Sequence, residues 1–219
     1  MSVLRLAAAG LLLMGVAGMA VAGELLLRVG HAPGIADPLG GTAMVEETGR
    51  WLAEQRPGLA IRVAPGLPIG APPGVIDAAT AQRLFADPRR LATAGGPGTI
   101  DILYAGDLRP RTRGRAWHAA GSPALITMNA RSLAQGADTA TMLARERRIL
   151  RHELVHAVGF VPAADHLEYR DGAHCTDPRC LMHGRITLVD LLSTLLPSGF
   201  EVLQPIELCP RCRREIAGE

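Results

Sequence analysis

The sequence has no lysine. All 23 of its basic residues are arginine, a usage that codon bias alone produces, so it excludes nothing about function. A dominant charge is missing too. With a formal net charge of +2 and arginines scattered rather than gathered in one run, the chain carries no electrostatic footprint for nucleic acid or anionic lipid. Internal repeats and low-complexity linkers are absent, so nothing marks a second folded domain, and 219 residues of ordinary apolar content suit a single core. After residue 22 there is no apolar run long enough to cross a bilayer.

The N-terminus is the exception. Arg5 precedes an apolar stretch from Leu6 to Val21, closed by Ala20-Val21-Ala22, the small-x-small pattern of a signal-peptidase site. Residues 1–22 therefore read as an export signal, leaving 23–219 as one domain in the periplasm or outside the cell. An uncleaved anchor is the alternative, and the only way this chain would engage a membrane. Nothing in the sequence calls for an oligomer, and a monomer is expected.

Four short apolar runs bounded by turn residues read as strands: Glu24 to Gly30, Leu59 to Val63, Ile100 to Tyr104 and Ala124 to Met128. Helical spacing predicts helices over Thr42 to Gln55, Val75 to Ala86 (stopped by Pro88) and Thr187 to Leu196. Ala64 to Gly74, crowded with Pro and Gly, reads as a loop. The alternation predicts an α/β (α+β) domain with a mixed twisted sheet covered by helices. The longest helical pattern runs from Asp138 to Val158, with Asp138 or Thr139 as N-cap and Gly159 just beyond its end.

That helix carries His152-Glu153-Leu154-Val155-His156. Residues four apart lie about 40° from each other around a helix, so both imidazoles can reach one ion. Glu153 projects beside them, placed to take a proton from a water activated by that ion without being a ligand. The pattern also arises by chance in helices whose histidines are merely solvated. Gly159 strengthens the catalytic reading, because a left-handed residue there turns the chain back toward the metal. A third ligand must follow, and His174, His166 and Asp165 are all competent.

Cys175, Cys180, Cys209 and Cys212 come as two close pairs, which suits four thiolates on one tetrahedral structural zinc. Export supplies the competing expectation of two disulfides. Met182, taken without its neighbours, reads as adaptable core filling. His183 reads as an exposed side chain in preference to a donor facing substrate.

The order His152-Glu153-x-x-His156-x-x-Gly159, His174-Cys175-x4-Cys180-x-Met182, Cys209-x-x-Cys212 resembles the archaemetzincin signature over Arg151 to Cys212. The resemblance implies a metzincin-like zincin domain with a long active-site helix and a Cys-rich C-terminal subdomain. It also implies a zinc metallopeptidase acting on peptide or protein substrates. Two Zn2+ ions are implied, one catalytic on His152, His156 and His174 with Glu153 as base, and one structural near the cysteines. Met182 takes the place of the turn methionine. One departure is plain: the family's third histidine falls three residues after the glycine, where this chain has Pro162, and His174 comes twelve residues later. The adjacency of His174 to Cys175 places the third ligand there, with the intervening residues as an inserted loop. The rival from another class is a non-catalytic exported zinc-binding interaction module.

Overall fold

The structure is a computed structural model, and it describes residues 23–33, 35, 40–65, 75–94, 96, 98–109, 113–168, 172–184 and 207–219. The expected export signal at 1–22 and the expected helix from Thr187 to Leu196 lie outside the described residues.

In chain order the elements are β1 (Glu24–His31), α1 (Gly41–Gln55), β2 (Ala60–Pro65), β3 (Val75–Asp77), α2 (Ala78–Phe85), α3 (Pro88–Ala94), β4 (Thr99–Ala105), β5 (Asp107–Arg109), β6 (Gly114–Trp117), β7 (Ala124–Asn129), α4 (Ala130–Ala134), α5 (Thr139–Ala157) and α6 (Pro210–Ala217). Five strands form one mixed sheet in the order β2-β1-β4-β7-β6. The first three pairings are parallel, and only β6 runs antiparallel, along β7. β3 and β5 pair parallel in a separate two-stranded sheet.

Side chains alternate across a strand, and here both faces are covered. Leu25, Leu27 and Val29 of β1, Ile100, Ile102 and Tyr104 of β4, and Ile126 and Met128 of β7 turn to one face. They meet Met44, Val45, Trp51 and Leu52 of α1 and Leu150, Leu154 and Val155 of α5. Leu103, Ala105 and Leu125 turn to the other, against Ile76, Ala81 and Leu84. On that second face Asp101 is fully buried and accepts from Arg28 (2.7 and 2.9 Å) and from Arg90 (2.9 Å).

All four expected strands are present, and the sheet is mixed as expected. The helix expected over Val75 to Ala86 is corrected: its first three residues are β3, and Asp77 then caps α2, accepting from Thr80 N–H at 2.7 Å. Val75-Ile76 is a β-branched pair that strand pairing with β5 takes over from helical spacing. Pro88, expected only to stop that helix, opens α3, where its missing N–H costs nothing. Strands β5 and β6, too short for a periodic signal, and helices α3, α4 and α6 escape sequence reading. Asp138 caps α5 as expected, accepting from Thr141 N–H at 2.7 Å. The interior of α5 is pinned by Glu146, fully buried, which accepts from Tyr104 Oη (2.6 Å) and Gly40 N–H (2.7 Å). The helix is thereby fixed on the sheet with its last two turns beside β6.

Candidate metal centres

Those last two turns present His152 and His156 on one face. Gly159, with φ +77, ends the helix as the sequence suggests, and Phe160 N–H donates to the Val155 carbonyl at 3.2 Å as the chain turns back. The inserted stretch then forms a small hairpin. Thr176 N–H donates to the His166 carbonyl (2.9 Å) and Glu168 N–H to the His174 carbonyl (2.7 Å), so residues 166–168 lie along 174–176. This hairpin returns His174 to the helix.

The Nε2 atoms of His152, His156 and His174 form a triangle with sides of 3.2, 3.3 and 3.2 Å. A tetrahedral ion with Zn–N of about 2.0–2.1 Å needs ligand nitrogens about 3.3–3.4 Å apart, so the three rings fit zinc. His152 Nδ1 lies 2.9 Å from the Leu181 carbonyl. The carbonyl can only accept, so the proton is on Nδ1 and Nε2 offers its lone pair to the triangle. All three rings are half-buried, whereas the cysteines are buried. Of the rivals for third ligand, neither joins this group: His166 sits among the cysteines, and exposed Asp165 pairs with Arg211 at 3.3 Å.

The four cysteines gather in a second, closed cluster. All are buried and none is in a disulfide. Cys175 Sγ is 3.9 Å from Cys209 Sγ, close to the sulfur spacing of a tetrahedral thiolate site. Main-chain N–H groups point at the sulfurs: Asp177 to Cys175 (3.4 Å), and Met182 (3.4 Å) and Cys209 (3.3 Å) to Cys180. With no cation, the thiol of Cys212 shares its proton with Cys180, and this bond holds Cys180 down at about 5. Burial pushes Cys175 up to about 12, and Cys212 is raised because its proton is held by Cys180.

No protein-family model and no curated protein matches the sequence. Among solved structures, the crystal structure of archaemetzincin from Methanopyrus kandleri is similar with a TM-score of 0.51, covering 88% of this chain and 92% of that one at 17% identity. The chain has the archaemetzincin fold.

Within that fold the residues between the two centres are shared. Leu181, whose carbonyl holds His152, donates its N–H to the Glu207 carbonyl at 2.8 Å. Glu207 in turn accepts from Arg151 (2.8 Å) and Trp51 (3.1 Å), tying the chain ahead of α6 to α5 and α1. Met182 is fully buried and accepts from Cys175 N–H at 2.8 Å. It lies in the turn between Leu181 and Gly184. His183, expected to be exposed, is half-buried, and its Nδ1 lies 3.0 Å from the Cys175 carbonyl. Its Nδ1 therefore donates, and its neutral ring keeps only an acceptor at Nε2.

Gly184 was not singled out by sequence, since a lone glycine has no motif. A Cβ built on it would lie 2.4 Å from His174 Cγ and 2.6 Å from Nδ1. Gly184→Ala is therefore expected to push the His174 ring out of the triangle and to weaken metal binding there at least about 10–100-fold, the scale of losing a ligand's support. Competition with a chromophoric chelator measures this, and unchanged affinity would remove Gly184 from the account.

Glu153 stands beside the triangle, 9% exposed, without being one of its three nitrogens. Burial raises its pKa to about 7, against smaller opposing effects of the Ala116 main-chain hydrogen bond and Arg115. Both opposing groups lie on β6, and Gly114 of that strand packs so closely that a Cβ there would stand 3.1 Å from Glu153 Cγ. A carboxyl whose folded pKa lies above its unfolded value of 4.5 favours folding only while it is protonated. Stability of the metal-free protein should thus fall as pH rises from 4.5 to 7 and level off above. The full drop is about 3 kcal/mol at about 1.4 kcal/mol per pKa unit. Urea unfolding in chelator across this range checks it, with Glu153→Gln expected to lack the drop.

Proposed function

We propose that this protein is a zinc-dependent peptidase in which His152, His156 and His174 hold the ion and Glu153 is the general base. The observation that carries the reading is the half-buried Nε2 triangle of zinc dimensions, with a buried carboxyl beside it that is not one of its three donors. Bound there, zinc supplies a Lewis acid for the scissile carbonyl and brings the pKa of a water toward about 7. Glu153 takes the proton from the attacking water and returns it to the leaving amine. Burial raises its pKa in the metal-free chain, which favours a carboxyl able to hold the proton before passing it on.

The surroundings of Glu153 suggest how a peptide lies. β6 pairs with β7 alone among the described strands, and Glu153 is packed against Gly114 and accepts from the main chain of Ala116 on that strand. An extended peptide can add to such an edge through main-chain hydrogen bonds, which would bring a scissile bond to the carboxyl. The cysteine cluster, buried where the histidine triangle is half-buried, suits a structural second Zn2+ that fixes Leu181 and His174. In this reading residues 23–219 act as one exported catalytic domain.

Hydrolysis of a diverse peptide library with and without a chelator tests the reading. Cleavage that stops on chelation and returns with zinc is the expected result; cleavage that survives full metal removal contradicts it.

A further inference from the structure

We infer that Arg115, stacked on Trp117, selects peptides with an acidic side chain close to the scissile bond. The inference rests on the peptidase reading and names the substrate class of that same site.

The chain's charge is balanced overall but not around β6. Arg109, Arg111, Arg113 and Arg115 alternate, and no acidic residue occurs from Leu108 to Ala137. Elsewhere exposed arginines have carboxylates of their own: Arg62, Arg89, Arg179 and Arg211 pair with one at 2.9–3.6 Å. Arg115 is exposed as well, and among the described residues no carboxylate bonds to it.

Its guanidinium lies instead over the Trp117 ring, with Cζ 4.4 Å from the centroid. Trp117 packs against Leu125 and its neighbours in the second core, so the ring is a fixed platform. Stacking holds the long side chain in one place and leaves its planar fork of N–H groups without an acceptor. A partner that meets a guanidinium already held loses less freedom on binding. The indole N–H of Trp117 has no acceptor either. The pair therefore offers donors and positive charge only, and the group that answers both is a carboxylate, which only accepts.

Strand register places this pair relative to the chemistry. Gly114 and Ala116 stand opposite Met128 and Ile126, and Arg115 and Trp117 opposite Thr127 and Leu125. Met128 and Ile126 face α5, whereas Leu125 faces the second core. Gly114 and Ala116 are thus on the Glu153 side of the strand, and Arg115 and Trp117 on the other. A peptide extended along β6 alternates in the same way, so every second side chain turns to Arg115's face. Cross-strand and diagonal neighbours are within reach of a long side chain, which puts the selected acid within about two residues of the bond held at Glu153. A basic side chain at that position would meet a like charge.

Paired peptides that differ only by Glu against Gln at successive positions around the bond test this. At one position the acidic peptide should have kcat/KM about 5–10-fold above its amide, carried by KM and shrinking as salt is raised. Arg115→Gln should bring that ratio within about twofold, and Arg115→Glu should invert it in favour of a Lys peptide. The ratio compares two substrates of one variant, so any effect of the substitution on Glu153 cancels. Calorimetric binding of the same peptides to zinc-loaded Glu153→Gln chain should show the same preference without turnover. Equal cleavage of every acid and amide pair, or a preference that survives Arg115→Glu, would overturn the proposal alone. Acid-selective binding that depends on Arg115, with no chelator-sensitive cleavage by the parent chain, would uphold the acidic site and overturn the peptidase reading. Equal binding without cleavage would overturn both.

Discussion

Glu153→Gln is expected to retain both metals and lose about 10²–10⁴-fold in kcat, the range that proton transfer by a positioned side chain contributes. The amide matches the carboxylate in shape, so it fits the same space against Gly114 and can still accept from the main chain of Ala116. It cannot take a proton. None of the three ring nitrogens is touched, so zinc content should match the parent protein. The paired stability measurement makes the result specific, since the same substitution should abolish the fall in metal-free stability between pH 4.5 and 7. Loss of activity together with loss of zinc would mean that the residue acts through the metal site and not on the proton. Hydrolysis near the parent rate would end its role as base.

Asp101→Ala should cost about 3–5 kcal/mol of folding stability, as expected when one partner of a buried ion pair is removed. The effect has nothing to do with the metal centres, which lie on the opposite face of the sheet. Asp101 is the shared acceptor of Arg28 and Arg90 on that buried face. Arg90, fully buried, also donates to the carbonyls of Phe85, Pro123 and Ala124, so it stays in place when its carboxylate is gone. Its charge is then left uncompensated. Urea unfolding at fixed metal concentration reads this, and a loss below about 1 kcal/mol would mean that the network adds little beyond the backbone contacts of Arg90.

The sequence was most informative where periodicity and motif coincide. The cap at Asp138, the i, i+4 histidines and the terminal Gly159 define α5 locally, and the structure has all three. The four main strands were legible because each is an apolar run between turns. Their order was not, since nothing local records that β1 lies between β2 and β4. The third histidine was chosen by resemblance, through the adjacency of His174 to Cys175, because by residue chemistry alone His166 and His174 are equally good ligands; in the structure one lies beside the helix histidines and the other among the cysteines. Gly184 left no trace, because it matters through a partner remote in sequence, His174. The short edge strand β6 was missed because four residues carry too little alternation, although it packs against Glu153, the carboxyl proposed as base.

The central claim is that three imidazoles from one helix and one hairpin share a single ion. Anomalous diffraction at the zinc edge from crystals of the purified chain tests it most directly. The account predicts an anomalous peak bonded to the Nε2 atoms of His152, His156 and His174, with Glu153 outside bonding distance. Crystals with zinc in the medium and no peak among those rings, or a peak ligated by Glu153, would contradict it.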